Sequence, residues 1–482
     1  MKIKIVLHVL SVIMLIISLF ILLSAVVSLI YQETESALAF IKTISIVIPL
    51  AGFIYFVTRS GKKNVLGTRE GFLLVSSSWI SASLVGALPF VFSGAIPSYT
   101  DAFFETMSGF TTTGASILTN IEGLSHGMLF WRSLTHWLGG MGIVVLTVAL
   151  LPLLGIGGIQ LLRAEAPGPS MDKITPKITQ TAKILWLIYV GFTIIEIVLL
   201  MIGGMSLFDA STHTFGTLAT GGFSTKAASV GAFDSAYIHI VITVFMVLAG
   251  MNFNLFYKGL SGNFRGFFRD TEMKVYLSIF IIISILIGID LLGTYGSFGK
   301  SLQYASFQTA SILTTTGYAT ADFALWPAFS KNALFFLMFV GGCSGSTGGG
   351  IKVVRIVTLI KLAFNEMKQM VYPRGVFTLK MNGITMKKEI VYPIAGFFFL
   401  YMFLLLAVTL GVASGGYNII TSFSTSLATL GNIGPGFGFI GPSLNYSFYP
   451  VYIKWILSAA MMLGRLEIYT VLILITPKFW RS

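Results

Sequence analysis

The segment FETMSGFTTTGAS, at Phe104–Ser116, places a hydroxyl-rich helical turn directly before a glycine, and the chain repeats this pattern three more times. The other copies are HTFGTLATGGFS at His213–Ser224, FQTASILTTTGYA at Phe307–Ala319 and FSTSLATLGNIGPG at Phe423–Gly436. We take the central glycines to be Gly114, Gly221, Gly317 and Gly431. A single copy would be no more than a threonine-rich turn, but repetition indicates one supersecondary unit that is used four times.

The composition around the four segments is that of a membrane protein. Hydrophobic residues make up 55% of the chain and charged residues only 10%, and the mean hydropathy is +0.86. About 20 apolar residues are needed to cross the hydrocarbon core of a bilayer. The sequence predicts ten such helices, at 5–30, 37–57, 72–95, 129–153, 183–207, 237–257, 274–295, 331–360, 390–412 and 451–475. The first run is longer than the apolar core of a signal peptide, so we interpret it as a retained helix.

The basic residues between these helices predict the orientation of the chain. The residues that collect in alternate segments are Arg59, Lys62, Lys63, Arg69, Arg163, Lys173, Lys177, Lys183, Lys258, Arg265, Arg269, Lys274, Lys361, Lys368, Arg374, Lys380, Lys387, Lys388, Lys478 and Arg481. The opposite segments carry mainly acidic residues such as Glu33, Asp101 and Asp209. Because cytoplasmic segments are enriched in lysine and arginine, we expect both termini to lie in the cytoplasm.

Each repeated segment lies on the predicted outer side between two helices and is too short to span the membrane. Such a stretch can enter the bilayer only where its backbone is buried in protein or lines a water-filled cavity. We therefore expect an all-α integral membrane protein with two N-terminal helices and four helix–pore loop–helix repeats in a pseudo-fourfold arrangement. The predicted boundaries are 1–69 for the N-terminal pair and 70–160, 161–262, 263–380 and 381–482 for the repeats.

Four such loops around one axis would form a selectivity filter for a monovalent cation. Rings of backbone carbonyl oxygens can replace the hydration shell of an ion, and glycine lets the backbone approach it closely. The predicted filter residues are Thr112, Thr113, Gly114, Ala219, Thr220, Gly221, Thr315, Thr316, Gly317, Leu430, Gly431 and Asn432. The carboxyl ends of the half-helices would add negative potential, so both effects favour cations.

Glycines also interrupt the predicted helix at 331–360. The segment GGCSGSTGGG, at Gly341–Gly350, cannot form a stable helix, because each glycine costs about 1 kcal/mol relative to alanine. An unwound segment at membrane depth has to line a cavity, so we expect this loop to lie below the filter and act as a gate. A passive kink is the alternative. The predicted gate residues are Gly345, Ser346, Thr347, Gly348, Gly349, Gly350, Lys352 and Arg465.

Three further polar residues stand out inside predicted helices. Arg465 lies deep in the last one, where an arginine costs roughly 2.5 to 3.5 kcal/mol and should face a cavity or a carboxylate. It either forms an electrostatic barrier below the filter or makes a structural ion pair with Glu196 or Glu467. Arg132 and His136, near the outer end of the fourth helix, either organise the outer vestibule or simply reach the interface.

Other functional classes find no support in the sequence. The single cysteine, Cys343, excludes an intramolecular disulfide, and the histidines show no metal-ligand spacing. No nucleotide-binding fingerprint or catalytic constellation is present, so we do not expect an enzyme. The formal net charge of +13 is spread over short loops, which argues against a nucleic-acid partner.

The whole chain resembles the Trk/Ktr/HKT superfamily of potassium transporters. The filter glycines, the glycine-rich break and the LGRLE segment around Arg465 occur in the family's order. The two additional N-terminal helices make the chain similar to the TrkH branch. The resemblance implies that the potassium ion is transported. In that family a serine in place of the first filter glycine accompanies sodium transport, and Gly114 stands there in this sequence.

The resemblance also implies a homodimer in the bacterial cytoplasmic (inner) membrane, regulated by a cytosolic TrkA-type nucleotide-binding subunit. Segments near Arg265, Lys368 and Lys387 are candidates for docking that subunit, and contact with anionic membrane lipid is the alternative. Helices interrupted by glycine also occur in coupled secondary transporters. A gated, channel-like pore for potassium uptake is therefore our main hypothesis, and symport with H+ or Na+ is the alternative.

Overall fold

The structure is a computed structural model that describes residues 1–59, 67–142, 178–386 and 388–481. Two helices precede the repeats, α1 (Ile3–Ile30) and α2 (Thr34–Thr58). Their residues are mostly apolar, and most of the buried hydroxyl groups bond to carbonyls of the preceding turn. Ser18 Oγ, for example, donates to the carbonyl oxygen of Met14 at 2.9 Å. Such bonds satisfy the polar groups of the helices without water.

Each repeat starts with a long apolar helix, continues into a short pore helix and ends in a second helical part. Repeat 1 contains α3 (Thr68–Phe92), α4 (Tyr99–Phe110) and α5 (His126–Gly140). Repeat 2 contains α6 (Ile178–Ile202), α7 (Leu207–Ala219), α8 (Ala236–Ala249), α9 (Phe253–Leu260) and α10 (Phe264–Phe268). Repeat 3 contains α11 (Thr271–Asp290), α12 (Leu292–Tyr295), α13 (Phe298–Leu313), α14 (Ala328–Leu337), α15 (Val353–Val371) and an antiparallel hairpin of β1 (Lys380–Met381) and β2 (Ile384–Thr385). Repeat 4 contains α16 (Lys388–Ala413), α17 (Ile419–Leu430), α18 (Val451–Arg465), α19 (Tyr469–Ile475) and α20 (Pro477–Trp480).

Six helices in the described ranges are long and apolar enough to cross a membrane, and the chain is a multi-pass membrane protein. They are α1, α2, α3, α6, α11 and α16, and they match the predicted helices at 5–30, 37–57, 72–95, 183–207, 274–295 and 390–412. The N-terminal pair and the first helix of every repeat are therefore confirmed as predicted. Their hydropathy is continuous, which is why composition alone located them.

The other four predicted helices are the second helices of the repeats, and none is described as one continuous helix. The prediction at 237–257 is wrong, because α8 ends at Ala249 and α9 continues at an angle of 95°. The prediction at 451–475 is wrong in the same way, since α18 ends before α19 begins. The break predicted within 331–360 separates α14 from α15. The helix at 129–153 is described as α5, and its residues from 143 onward lie outside the described ranges.

Local chemistry explains the missed breaks. Asn252 starts α9, because its side-chain oxygen accepts the N–H of Asn254 at 2.9 Å. Glu467 has φ 53° between α18 and α19, a conformation that interrupts a right-handed helix. Apolar residues stand on both sides of each break, so a hydropathy profile runs straight through it.

The four pore helices α4, α7, α13 and α17 contain 12, 13, 16 and 12 residues. At 1.5 Å per residue they are too short to cross about 30 Å of hydrocarbon. All four begin with a side chain that accepts a backbone N–H from the first turn. These N-caps are Ser98, Ser206, Ser297 and Asn418. Such capping residues define where a helix starts, so the sequence specifies the N-terminal end of each pore helix.

Candidate functional site

Each pore helix ends in a loop of the same backbone conformation, and we call these loops 1 to 4 in chain order. A residue with positive φ follows the helix, and a glycine with positive φ follows two residues later. The first residues are Thr112, Thr220, Thr315 and Asn432, with φ of 53°, 55°, 61° and 54°. The glycines are Gly114, Gly222, Gly317 and Gly434, with φ of 78°, 80°, 82° and 91°. The segments that repeat in sequence therefore also repeat in backbone geometry.

This geometry corrects the alignment of loops 2 and 4. The sequence comparison equated Gly221 and Gly431 with the glycine of loop 1, but Gly222 and Gly434 have its conformation. Gly221 corresponds to Thr113, because the N–H of each donates to a carbonyl five residues earlier, at 2.8 and 2.9 Å. Gly431 caps α17 with φ −81°. Aligning the four segments by residue type selected the first glycine after the hydroxyl-rich turn. The backbone, however, needs glycine at the position where φ is positive.

The four loops close into a ring through these glycines. Each lies so close to a carbonyl oxygen of the next loop that an added Cβ atom would collide with that oxygen. The pairs, in order around the ring, are Gly114 with Gly221, Gly222 with Thr316, Gly317 with Ile433 and Gly434 with Thr113. The last pair returns from loop 4 to loop 1. Because the four contacts are of the same kind and the fourth leads back to loop 1, the four loops surround a common axis.

The predicted filter residues lie in this ring or at the helix ends beside it. Thr112, Thr113, Gly114, Thr220, Gly221, Thr315, Thr316, Gly317 and Asn432 belong to the four loops, whereas Ala219 and Leu430 end α7 and α17 and Gly431 caps α17. The side-chain amide of Asn432 donates to Thr113 Oγ1 at 2.9 Å, which joins loop 4 to loop 1. Sequence reasoning missed Gly222, Ile433 and Gly434. The sequence signals that could have identified them were the second glycine of the pair Gly221–Gly222 and the Gly-Pro-Gly run that starts at Gly434.

The oxygens at the ring are uncharged. In the described ranges no three His, Cys, Asp or Glu side chains are close enough together to hold a metal ion. The hydroxyl of Thr112 and the side-chain oxygen of Asn432 are buried and accept no hydrogen bond from the described residues. Peptide carbonyls and such polar oxygens suit a cation that must bind and leave again.

The glycine-rich segment Gly341–Gly350 packs at the carboxyl ends of the third and fourth pore helices. The N–H of Gly349 donates to Thr315 Oγ1 at 2.7 Å. A side chain at Gly349 would lie only 2.6 Å from the carbonyl oxygen of Gly431. The segment thus lies directly against loops 3 and 4, next to the carboxyl ends of α13 and α17.

Two basic side chains hold this segment in place. Lys352 Nζ donates to the carbonyl oxygen of Gly348. Arg465 Nη1 donates to the carbonyl oxygen of Thr347 at 2.5 Å, and its Nη2 donates to two carbonyl oxygens at the end of α5 at 2.6 and 2.8 Å. Arg465 therefore connects the segment to repeat 1 across the site.

Glu467, one of the two carboxylates considered as partners of Arg465, forms an ion pair with Arg355 at the start of α15. The guanidinium of Arg355 also lies 3.8 Å from the centre of the Phe397 ring. The end of the glycine-rich break and the break after α18 are thus joined by a charged contact next to Arg465.

A buried carboxylate that sequence reasoning missed holds both ends of the glycine run. Glu272, in the first turn of α11, is 6% exposed. Its Oε1 accepts the N–H of Ser344 at 2.7 Å and the N–H of Val354 at 3.0 Å. These residues stand on either side of Gly345–Gly350, so one carboxylate fixes the separation of the two ends. An acidic residue at the start of a membrane helix was the only sequence signal.

Arg132 and His136 lie behind loops 1 and 2. Both are buried, so the interpretation that they reach the interface is wrong. Arg132 Nε donates to Glu105 at 2.6 Å, and His136 Nδ1 donates to the carbonyl oxygen of Gly109 at 2.7 Å. The His136 ring occupies the space that a side chain at Gly221 would need. These side chains therefore pack directly against the backbone of the pore loops.

Comparison with known proteins places this architecture among cation transporters. A family model described as TrkH, cation transport protein, matches residues 36–482. The Trk system potassium uptake protein TrkH of Salmonella typhimurium is 41% identical over 96% of this chain and 96% of its own length. The protein of the same name from Halomonas elongata is 40% identical over 100% of both chains. The crystal structure of the potassium transporter TrkH from Vibrio parahaemolyticus matches with a TM-score of 0.89 and 37% identity, covering 100% of both chains.

Proposed function

Since the chain belongs to the TrkH family of cation transport proteins, we propose that it takes up potassium through a gated, channel-like pore with a four-loop carbonyl selectivity filter. The potassium ion is the transported substrate. The family carries cations rather than converting substrates, so no catalytic residues are assigned. We propose that the N-terminal pair predicted at 1–69 is followed by the repeats predicted at 70–160, 161–262, 263–380 and 381–482. Three of these boundaries move to the ends of structural elements: α3 starts repeat 1 at Thr68, α10 ends repeat 2 at Phe268 and β2 ends repeat 3 at Thr385.

The closed ring of four loops is the observation that carries this function. Loops from all four repeats meet there with uncharged oxygens, which can replace the water around a bare monovalent cation. Each pore helix directs the negative end of its dipole toward the inner side of the ring. In the corrected register the ion-binding residues are Thr112–Gly114, Thr220–Gly222, Thr315–Gly317 and Asn432–Gly434.

We assign the gate to Gly345–Gly350 together with Lys352 and Arg465. The contacts of Gly349 with Thr315 support this role, because they hold the segment against the inner end of the filter. Opening requires that bond to break and Arg465 to release the segment. A glycine-rich backbone outside a helix can rearrange at small cost.

The oligomeric state, the membrane location and the regulatory subunit belong to the same proposal. The protein is a homodimer in the bacterial cytoplasmic membrane, with both termini in the cytoplasm, and a TrkA-type nucleotide-binding subunit regulates it. The names of its relatives refer to a Trk system, which supports an assembly of several components. Arg265 and Lys368 are exposed and accessible to that subunit or to anionic lipid, whereas Lys387 lies outside the described residues.

Uptake of rubidium-86 into proteoliposomes tests this function. We expect flux down a potassium gradient alone, which ceases when the gradient is removed and exceeds the flux into protein-free liposomes. If rubidium-86 uptake depended strictly on a proton or sodium gradient, the protein would be a symporter and not a channel-like pore. If no rubidium enters under any gradient and the chain does not restore growth of a potassium-uptake-deficient bacterium, potassium uptake is excluded.

A further inference from the structure

A buried ion pair lies directly behind loops 1 and 2. Glu105 on α4 and Arg132 on α5 are joined at 2.6 Å, and their side chains are 0% and 3% exposed. A buried ion pair of this kind is stable only when its remaining donors and acceptors are also satisfied. Both partners form further hydrogen bonds to residues that follow loops 1 and 2.

Glu105 holds the outgoing part of loop 1. Its Oε1 accepts the hydroxyl of Ser116 at 2.9 Å, and its Oε2 accepts the N–H of Ile117 at 2.9 Å. Ser116 and Ile117 follow the left-handed Gly114 in the chain. The carboxylate therefore fixes where loop 1 leaves the ring.

Arg132 holds the outgoing part of loop 2. Its Nη1 donates to the carbonyl oxygen of Ser224 at 3.0 Å, and its guanidinium lies 3.5 Å from the centre of the Phe223 ring. Phe223 and Ser224 follow Gly222 in the chain. The ion pair thus connects equivalent parts of two neighbouring loops.

Uncharged contacts bridge two other junctions of the ring. Between loops 2 and 3, the hydroxyl of Tyr318 donates to the carbonyl oxygen of Phe223 at 3.1 Å. Between loops 4 and 1, the hydroxyl of Tyr446 donates to the carbonyl oxygen of Gly434 at 2.6 Å, and its backbone N–H donates to the carbonyl oxygen of Ser116 at 2.8 Å. The junction between loops 1 and 2 differs because an ion pair with directional bonds stands there.

We propose that Glu105 and Arg132 are positioning residues for ion selectivity, which set the separation of loops 1 and 2 at the ring. This inference rests on the proposed potassium pore. Discrimination between potassium and sodium depends on where the coordinating oxygens lie and how far they can move. The planar guanidinium reaches Glu105, Ser224 and Phe223 at the same time, whereas a lysine ammonium on a flexible stem lacks that fixed fork.

The substitution Arg132→Lys tests this role while keeping the charge. We expect the ratio of rubidium-86 to sodium-22 flux in proteoliposomes to fall about tenfold, because a fixed pair of hydrogen bonds becomes a mobile contact. Glu105→Asp also keeps the charge, withdraws the carboxylate from Ser116 and Ile117, and should lower the ratio in the same direction. Size-exclusion profiles and thermal unfolding establish that each variant is folded.

Lys454→Arg is the matched control. Lys454 forms an ion pair at 2.6 Å with Asp101, one turn from Glu105 on the same pore helix. Its ammonium donates to this carboxylate, whereas Arg132 also donates to the carbonyl oxygen of Ser224 after loop 2. Unchanged flux ratios in folded Arg132→Lys and Glu105→Asp, or an equal fall in Lys454→Arg, would overturn the positioning role. A wild-type protein that itself fails to prefer rubidium over sodium would refute the proposed pore instead.

Discussion

Individual glycine residues determine the backbone conformation of the ring. Gly222 and Gly434 have φ of 80° and 91°, and an added Cβ would collide with the carbonyl oxygens of Thr316 and Thr113. A side chain there is strained by its own backbone and also pushes the neighbouring loop away. Substitutions at these two positions therefore act on the ring itself.

The first prediction follows from the corrected register. Gly434→Ala should reduce rubidium-86 flux or its preference over sodium by about tenfold or more, because about 1 to 3 kcal/mol of backbone strain is placed in the proposed filter. Gly441→Ala, a few residues later, is the control, since Gly441 has φ −56° and no atom within 3.7 Å of the added Cβ. Equal flux and selectivity in the two variants would show that Gly434 is not in the filter.

At the scale of elements, the breaks in the second helices shape the inner side of the site. α14 and α15 are separated by the glycine-rich segment, which reaches loops 3 and 4 because no side chain keeps it away. Glu272 at the start of α11 ties the two ends of the glycine run together. The resting position of the segment thus depends on a helix that precedes it by many residues.

Glu272→Ala should increase rubidium-86 leakage without an external stimulus. The change leaves two buried N–H groups unpaired, at a cost of about 1 to 3 kcal/mol each, which favours departure of the segment from its closed position. We expect a rise of about fivefold or more in flux from proteoliposomes. Glu366→Ala, on the exposed face of α15, should leave flux unchanged. A variant with wild-type leakage and normal unfolding would reduce Glu272 to a packing role.

At the scale of the whole molecule, all four loops contribute equivalent backbone groups to the ring. Under the proposed function, an ion bound at the ring would touch segments from four parts of the chain at once. Because a ligand that binds only the folded state stabilises it, binding of that ion would stabilise the association of the repeats.

Potassium should therefore raise the thermal stability of the purified protein more than sodium does. At a concentration about 100 times the dissociation constant, the expected gain is about 2.7 kcal/mol. Thermal unfolding in detergent, with potassium, sodium or a large organic cation at equal ionic strength, measures this difference. Gly434→Ala should remove most of it. An equal unfolding temperature in all three salts would argue against a potassium site formed by the folded ring.

The sequence by itself determined the features that depend on neighbouring residues. Continuous apolar runs gave α1, α2 and the first helix of every repeat. Hydroxyl-rich turns followed by glycine marked the four pore loops, and the glycine run marked the break after α14. Hydropathy and helix propensity are local properties, so one segment at a time suffices to read them.

Only the tertiary structure decided which glycines turn the loops and which side chains hold them. Gly222 and Gly434 are distinguished from Gly221 and Gly431 by their backbone conformation and by a carbonyl of a different repeat. Glu272 likewise acts on residues far along the chain. Such contacts join segments that are distant in sequence, so they exist only once the four repeats pack around one axis.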